Sequence, residues 1–202
     1  MAMVKLTKTE QKHQKDALKR YLRYLPTLQL KKQQLQMVLM QTEAQQRVLR
    51  SQKDELYKAS QEWLPVVGDP SGGPFGTYLT ISDIRTSQAN IAGIDIRVFE
   101  SISFEHSDYD LFAEPLWVDS ALELLEKLLE IDVRVAILDE QYQRIAAELR
   151  VTSQRVNLFE KIKIPEALEN IRRIQIYLGD QQTASVVRGK IAKKNLLQEV
   201  VR

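Results

Sequence analysis

The chain has 202 residues with 29 basic and 27 acidic side chains, a net charge of +2, and no cysteine. Near-balanced charge gives no footing for bulk binding to nucleic acid, and the lack of thiols excludes a disulfide framework, a thiolate nucleophile and cysteine-ligated zinc. Of only 7 Gly and 6 Pro, four Gly and two Pro fall between Gly68 and Gly76, which leaves the rest of the chain free to be long helix.

Thr7 to about Trp63 reads as one helix, with Thr7 or Thr9 as its cap and Glu10 placed for a capping box. At 1.5 Å per residue, about 55 residues make a helix on the order of 80 Å long. Leu28, Leu35, Leu49 and Leu56 lie on one seven-residue line that Thr42 completes. Leu18, Leu25 and Leu39 lie on the companion line, which Lys32, Gln46 and Lys53 make half polar. Such a seam needs a partner helix, and its polar positions fix register and partner at a cost in stability. Pro26 removes one helical hydrogen bond and crowds the preceding turn. A kink or local irregularity is expected near Tyr24 to Thr27, the alternative being a break that leaves a short separate helix.

Gly68 to Gly76 reads as a loop. It lacks the Gly-Lys-Ser/Thr of a phosphate loop. Beyond it, Tyr78–Arg85 and Ile91–Phe104 alternate with period two, and Ile94, Ile96 and Val98 share one face. These segments predict a β-hairpin. A lone hairpin is marginal in water, so it should pack on helix ends or on a partner, and Ile94, Ile96 and Val98 are the docking candidates.

Glu105 to Glu114 reads as an acidic loop, and Pro115 as the first turn of a second long helix. Leu128, Ile131, Val135, Leu138, Tyr142, Ile145, Leu149, Thr152, Val156 and Phe159 then alternate in steps of three and four for more than four heptads. The stripe changes phase across Pro165 and resumes as Ile164, Leu168, Ile171, Ile174 or Gln175, and Leu178, which predicts a bend or a local change of winding. From Gly179 to Ser185 the chain is polar, so the last turns are expected to fray or end early.

No catalytic, cofactor-binding or metal-ligating set emerges. His13 and His106 are isolated, and Asp108, Asp110 and Glu114 sit in a presumed loop without the spacing of a metal site. No apolar run approaches the roughly 20 residues of a spanning helix. Met1 to Lys8 lacks the apolar core of a signal peptide. A cytoplasmic protein with no direct membrane insertion is expected. The composition and periodicity give a mostly α chain: a long antiparallel two-helix coiled coil from residues 1–66 and 107–202, with a loop and β-hairpin head at 67–106 placed at one end.

The run Arg155-Val-Asn-Leu-Phe-Glu160, followed by Ile164-Pro165 and by Ile171 and Ile174, resembles the C-terminal signature of the D subunits of V-type and A-type rotary ATPases. The segment Thr27–Leu35 resembles that family's N-terminal helix, and Asn90-Ile-Ala-Gly-Ile94 its hairpin. Gly179 to Ser185 departs from the family, which has an acidic and Arg-rich run there. The resemblance implies a non-catalytic central rotor shaft that couples rotation of a membrane ion-translocating ring to ATP synthesis or hydrolysis, with the complex holding it at the membrane. It implies three sets of partners: the small F subunit of the rotor, the catalytic and regulatory headpiece subunits of A and B type, and a funnel subunit of C/d type above the membrane ring. Arg155, Asn157, Glu160, Pro165, Arg172 and Arg173, with Lys161 and Lys163 nearby, are the candidates for headpiece contact. A free-standing coiled-coil scaffold or adaptor is the alternative.

Overall fold

The computed structural model describes residues 4–61, 78–108, 115 and 117–200. The elements are helix α1 (Lys8–Ser60), strands β1 (Leu79–Ile91) and β2 (Ile94–His106), helix α2 (Val118–Leu158), a π turn (Phe159–Lys163) and helix α3 (Ile164–Val200). The fold class is the one expected: long N- and C-terminal helical segments with a two-stranded antiparallel hairpin between them. The Gly68–Gly76 loop lies outside the described residues, as do Asp110 and Glu114 of the acidic segment. The chain divides into two packed units, Met1–Lys32 with Val151–Arg202, and Gln33–Arg150.

In the first unit, Thr7 is the cap, its Oγ1 accepting the Glu10 N–H at 3.2 Å. The backbone stays helical through Pro26, whose exposed position spares the surroundings its missing donor. The break is therefore not taken. Tyr21 of α1 meets Phe159 with ring centroids 5.1 Å apart and planes tilted by 42°. Further back toward the N-terminus, Val4 and Leu6 lie beside Ile174 and Tyr177, so the two segments run antiparallel.

The phase change occurs just before Pro165. Residues Phe159–Lys163 form the π turn, and the Ile164 N–H bonds the Phe159 carbonyl five residues back. Pro165 has no N–H for the carbonyl of Lys161, and its ring would crowd that carbonyl in a regular α-helix. A turn wider by one residue relieves both problems. It also sets which side chains are inside afterwards. Ala167 and Ile174 are buried while Leu168, expected in the stripe, is 53% exposed. The seam has moved forward by one residue, and the sequence stripe alone does not reveal that the small Ala167 takes the inner position.

The tail does not end early. Helix α3 continues to Val200. It does so through two glycines, Gly179 and Gly189, which cost about 1 kcal/mol each relative to Ala. Thr183 Oγ1 donates to the Gly179 carbonyl at 3.1 Å, and Gln181 Nε2 to Tyr177 Oη at 2.9 Å. Every residue from 179 to 196 is exposed.

In the second unit, Gln46 Nε2 donates to Asp139 Oδ1 at 2.8 Å, and Lys53 pairs with Asp132 seven residues earlier on α2. The α1 partner advances by as many residues as the α2 partner retreats, which is the antiparallel arrangement. Leu35 and Ile145 are fully buried, Ile131 is 8% exposed, and Leu49, Leu56, Leu128, Val135, Leu138 and Leu149 are half-buried. The same holds in the first unit for Val156, at 4%, and for Leu28 and Phe159, both half-buried.

Strand β1 runs past the predicted Arg85 to Ile91, because cross-strand pairing carries through the polar stretch Thr86 to Asn90, and the predicted second segment, Ile91–Phe104, is shifted to Ile94–His106 by the turn at its start. The two-residue loop Ala92-Gly93 has φ of 53° and 82°, the pair of positive values that a tight hairpin turn requires. Asn90 holds it: its Oδ1 accepts the Gly93 N–H at 3.0 Å and its Nδ2 donates to Asp95 Oδ1 at 2.7 Å. Ala92 is the one non-Gly residue with positive φ among the described residues. Ala92→Asn, which tolerates this region, should raise hairpin stability by about 0.5–1 kcal/mol, read as slower amide exchange across β1 and β2. Unchanged or faster exchange counts against this account of the turn.

The hairpin lies along α2. Leu79, Val118 and Leu122 form a buried cluster with Tyr78, Phe104, Trp117, Leu125 and Leu129 against it. Farther along, His106 Nε2 is 2.9 Å from Glu126 Oε1, the Arg134 guanidinium lies 4.9 Å from the Phe99 ring centre, Arg97 pairs with Glu140, and Gln141 Nε2 donates to the Arg97 carbonyl. Arg144 reaches the Asp95 carbonyl at 3.1 Å. A two-stranded ribbon gains here the apolar backing it lacks on its own.

Candidate functional site

Among the described residues no group of three or more His, Asp or Glu side chains is placed to hold a metal ion, and no helix is long and apolar enough to cross a membrane. The candidate site is therefore a set of surfaces.

The first surface is built on the π turn and the start of α3. Val156 and Phe159 turn inward, which sends Arg155, Asn157, Glu160 and Pro165 outward, all four away from the buried seam. Arg172 and Arg173 are exposed one to two turns on. Lys163 Nζ is 3.0 Å from Glu166 Oε2, and Arg173 Nε donates to Glu169 Oε1 at 2.9 Å. The hydrogen bond from Lys163 to Glu166 and its charge hold the lysine pKa above its ordinary value. Exposed pairs of this kind contribute little to stability, so their carboxylates are available to be displaced by a partner's. Beside them lies an open groove of about 940 Å³, floored by Leu6, Ile162, Ile174, Ile176 and Tyr177 and rimmed by charged residues including Lys161 and Arg173. Arg155 and Asn157 flank the buried Val156 about 200° apart around the helix, so they stand exposed on different sides of it, and of the motif residues Arg173 is the one that lines the groove. Packing of the chain does not use them.

The second surface is the hairpin. Ile96 is 3% exposed and Ile94 and Val98 are half-buried. This face lies against the chain itself and not toward solvent. The exposed apolar residues of the hairpin are Ile81 and Ile84 on β1. Irregular pairing between Ile81 and Asp83 and between Arg85 and Thr86 breaks the even face that alternation alone suggests, which is why the sequence did not single them out.

The third is the polar flank of the α1–α2 seam: Glu43 with Tyr142, Gln46 and Arg50 with Asp139, and Lys53 with Asp132. The hydrogen bond to Asp132 raises the Lys53 pKa above its usual value against the opposing effect of burial, and the hydrogen bond to Glu43 raises that of Tyr142. Both groups have folded pKa values above their unfolded ones. Their stabilisation is complete below the unfolded values near pH 10 and is lost as pH rises through the folded values. The denaturation midpoint should therefore fall as pH rises above about 10, and the fall should shrink in the Lys53→Met, Tyr142→Phe double variant. An equal fall in both proteins rules out this pair of groups as its origin.

Comparison with known proteins agrees with the motif. The family of ATP synthase D subunits matches residues 10–194. The V-type ATP synthase D subunit of Borreliella burgdorferi is 45% identical over 199 residues, 98% of each chain. Those of Chlamydia caviae and Chlamydia pneumoniae are 31% and 32% identical, covering 98% and 96% of this chain and 95% and 93% of theirs. A match of this extent takes in α1, the hairpin, the π turn and most of α3, and the chain belongs to the family of ATP synthase D subunits.

Proposed function

We propose that the chain is the non-catalytic central-stalk subunit of a V/A-type ATPase or ATP synthase, the shaft that couples rotation of a membrane ion-translocating ring to ATP turnover in the headpiece. The observation that carries this reading is the π turn before Pro165, which displaces the seam by one residue and leaves Arg155, Asn157, Glu160 and Pro165 outside it. A shaft needs no active site. It needs contacts whose free energy differs between the open and closed forms of each catalytic subunit, because only differential contact shifts a conformational equilibrium. An uneven surface turning inside a ring of alternating sites supplies that difference, and Arg172, Arg173 and the motif residues are its contact points. The hairpin receives the funnel-type subunit through Ile81 and Ile84, since Ile96 is already covered. The protein is then peripheral to the membrane through its complex, with the F subunit and the A- and B-type subunits as soluble partners.

The test is co-expression with the F subunit and with the headpiece subunits, followed by the mass of the product from light scattering. A one-to-one complex with the F subunit that joins the headpiece supports the shaft. A homodimer indifferent to both supports a free-standing scaffold.

A further inference from the structure

The net charge of +2 conceals a segregation. The unit Met1–Lys32 with Val151–Arg202 has 19 basic and 7 acidic side chains, a net of +12, whereas Gln33–Arg150 has 10 basic and 20 acidic, a net of −10. At the start of α1 the excess is ordered. At 100° per residue, Lys8, Lys12, Lys15, Lys19 and Arg23 fall in one row opposite the buried Ala17, over about 22 Å of the helix. Asp16 and Arg20 border the row on one side and Leu22 on the other. All five cations are exposed, and none forms an ion pair with a described residue. Like charges three and four residues apart destabilise a helix, so the fold gains nothing from this row.

We propose that the row faces a carboxylate-rich surface of the headpiece and steers the terminal unit into it during assembly. The inference rests on the rotor reading and adds to it the chemistry of the partner surface and a role in the rate of joining. Two observations select the occupant. The row belongs to the same packed unit as the Arg155–Pro165 motif, linked to it by the Tyr21–Phe159 contact, so a ring that surrounds the motif also surrounds α1. Its charge calls for an anionic surface, and other polyanions fit it less well. No aromatic side chain stands in the row to stack a nucleic-acid base. The apolar side of α1 packs within the chain, with Ala17 buried and Tyr21 on Phe159, which leaves only Leu22 beside the row to enter a lipid surface. Four of the five cations are Lys, hydrated point charges on flexible stems that demand no fixed bidentate geometry. Such a row attracts at a distance and passes from one carboxylate to the next as its neighbours change.

The test measures how fast the full chain joins the separately prepared headpiece across a range of ionic strength. The Lys12→Gln, Lys15→Gln, Lys19→Gln variant removes three charges from the row. The Lys190→Gln, Lys193→Gln, Lys194→Gln variant removes as many from the exposed end of α3, in the same unit. The first should join about tenfold more slowly at low salt, the difference vanishing at high salt as the charges are screened, with a thermal midpoint no lower than that of the unaltered chain. The second should join at a rate much nearer the unaltered one. In the assembled complex a carbodiimide, which condenses an amine with a carboxylate to an amide, should join Lys12, Lys15 or Lys19 to an Asp or Glu of a headpiece subunit. The proposal is overturned if the first variant joins at the unaltered rate at every salt concentration, if both variants slow equally, or if no such amide forms. An unaltered rate together with lost retention of the first variant on inorganic polyphosphate would assign the row to a phosphate chain instead. If the unaltered chain does not join the headpiece at all, the rotor reading falls and this inference with it.

Discussion

With Pro165 replaced by Ala, so that a regular turn carries no proline penalty, deleting Glu160 should leave the helical segment from Val151 to Val200 packed, whereas deleting Gln154, an exposed residue one and a half turns earlier, should disrupt it. The π turn holds one residue more than the seam needs. Removing Glu160 lets Phe159–Lys163 close as ordinary α-helix while Val156 and Ile174 keep their inward positions. Removing Gln154 turns Val156, Phe159 and everything after them by about 100° relative to Thr152. Val156 at 4% exposure and Thr152 at 1% cannot then both stay inside. The expected cost is near zero for the first deletion and about 3–5 kcal/mol for the second, equivalent to emptying a core position. Denaturant unfolding followed by circular dichroism measures both, and equal losses would show that the widened turn is not a one-residue insertion. In the assembled complex the Glu160 deletion should keep ATP hydrolysis and lower its coupling to ion transport, because the offset that makes the shaft surface uneven is gone.

Ile145→Ala should lower stability by about 2–4 kcal/mol, and Leu35→Ala by a similar amount. Both side chains are fully buried, and both lie in the Gln33–Arg150 unit. A two-helix seam has few layers to share such a loss, so the cavity relaxes little and the transfer and cavity terms add. Met40→Ala, 69% exposed on the same stretch of α1, should change the isolated chain by less than about 0.5 kcal/mol. A loss for Ile145→Ala no greater than for Met40→Ala would mean that α2 is not held by this seam.

Local chemistry wrote much of this protein openly. The heptad lines of α1 and α2, the Thr7 cap, the hairpin and the irregularity near Pro165 are all consequences of side-chain period, capping oxygen and a missing N–H. Each acts within a few residues, so each can be read from a stretch of sequence. The Arg155–Pro165 signature belongs to the same class, since it is a string of neighbours.

Other features depend on what lies across a gap. Leu168 has the right character for the seam and is outside it, because the helix phase after the π turn puts Ala167 inward instead. Ile96 has the alternation of an exposed docking strand and is buried, because α2 approaches that face. Gly179 looks like an end, and the helix runs on through it to Val200. The amino-acid sequence by itself determined which segments are helix and strand, where the long seam lies and to which family the chain belongs. Only the tertiary structure decided which faces stay exposed, among them the outward motif residues and Ile81 and Ile84. Exposure is a property of neighbours distant in sequence, and period alone carries no record of them.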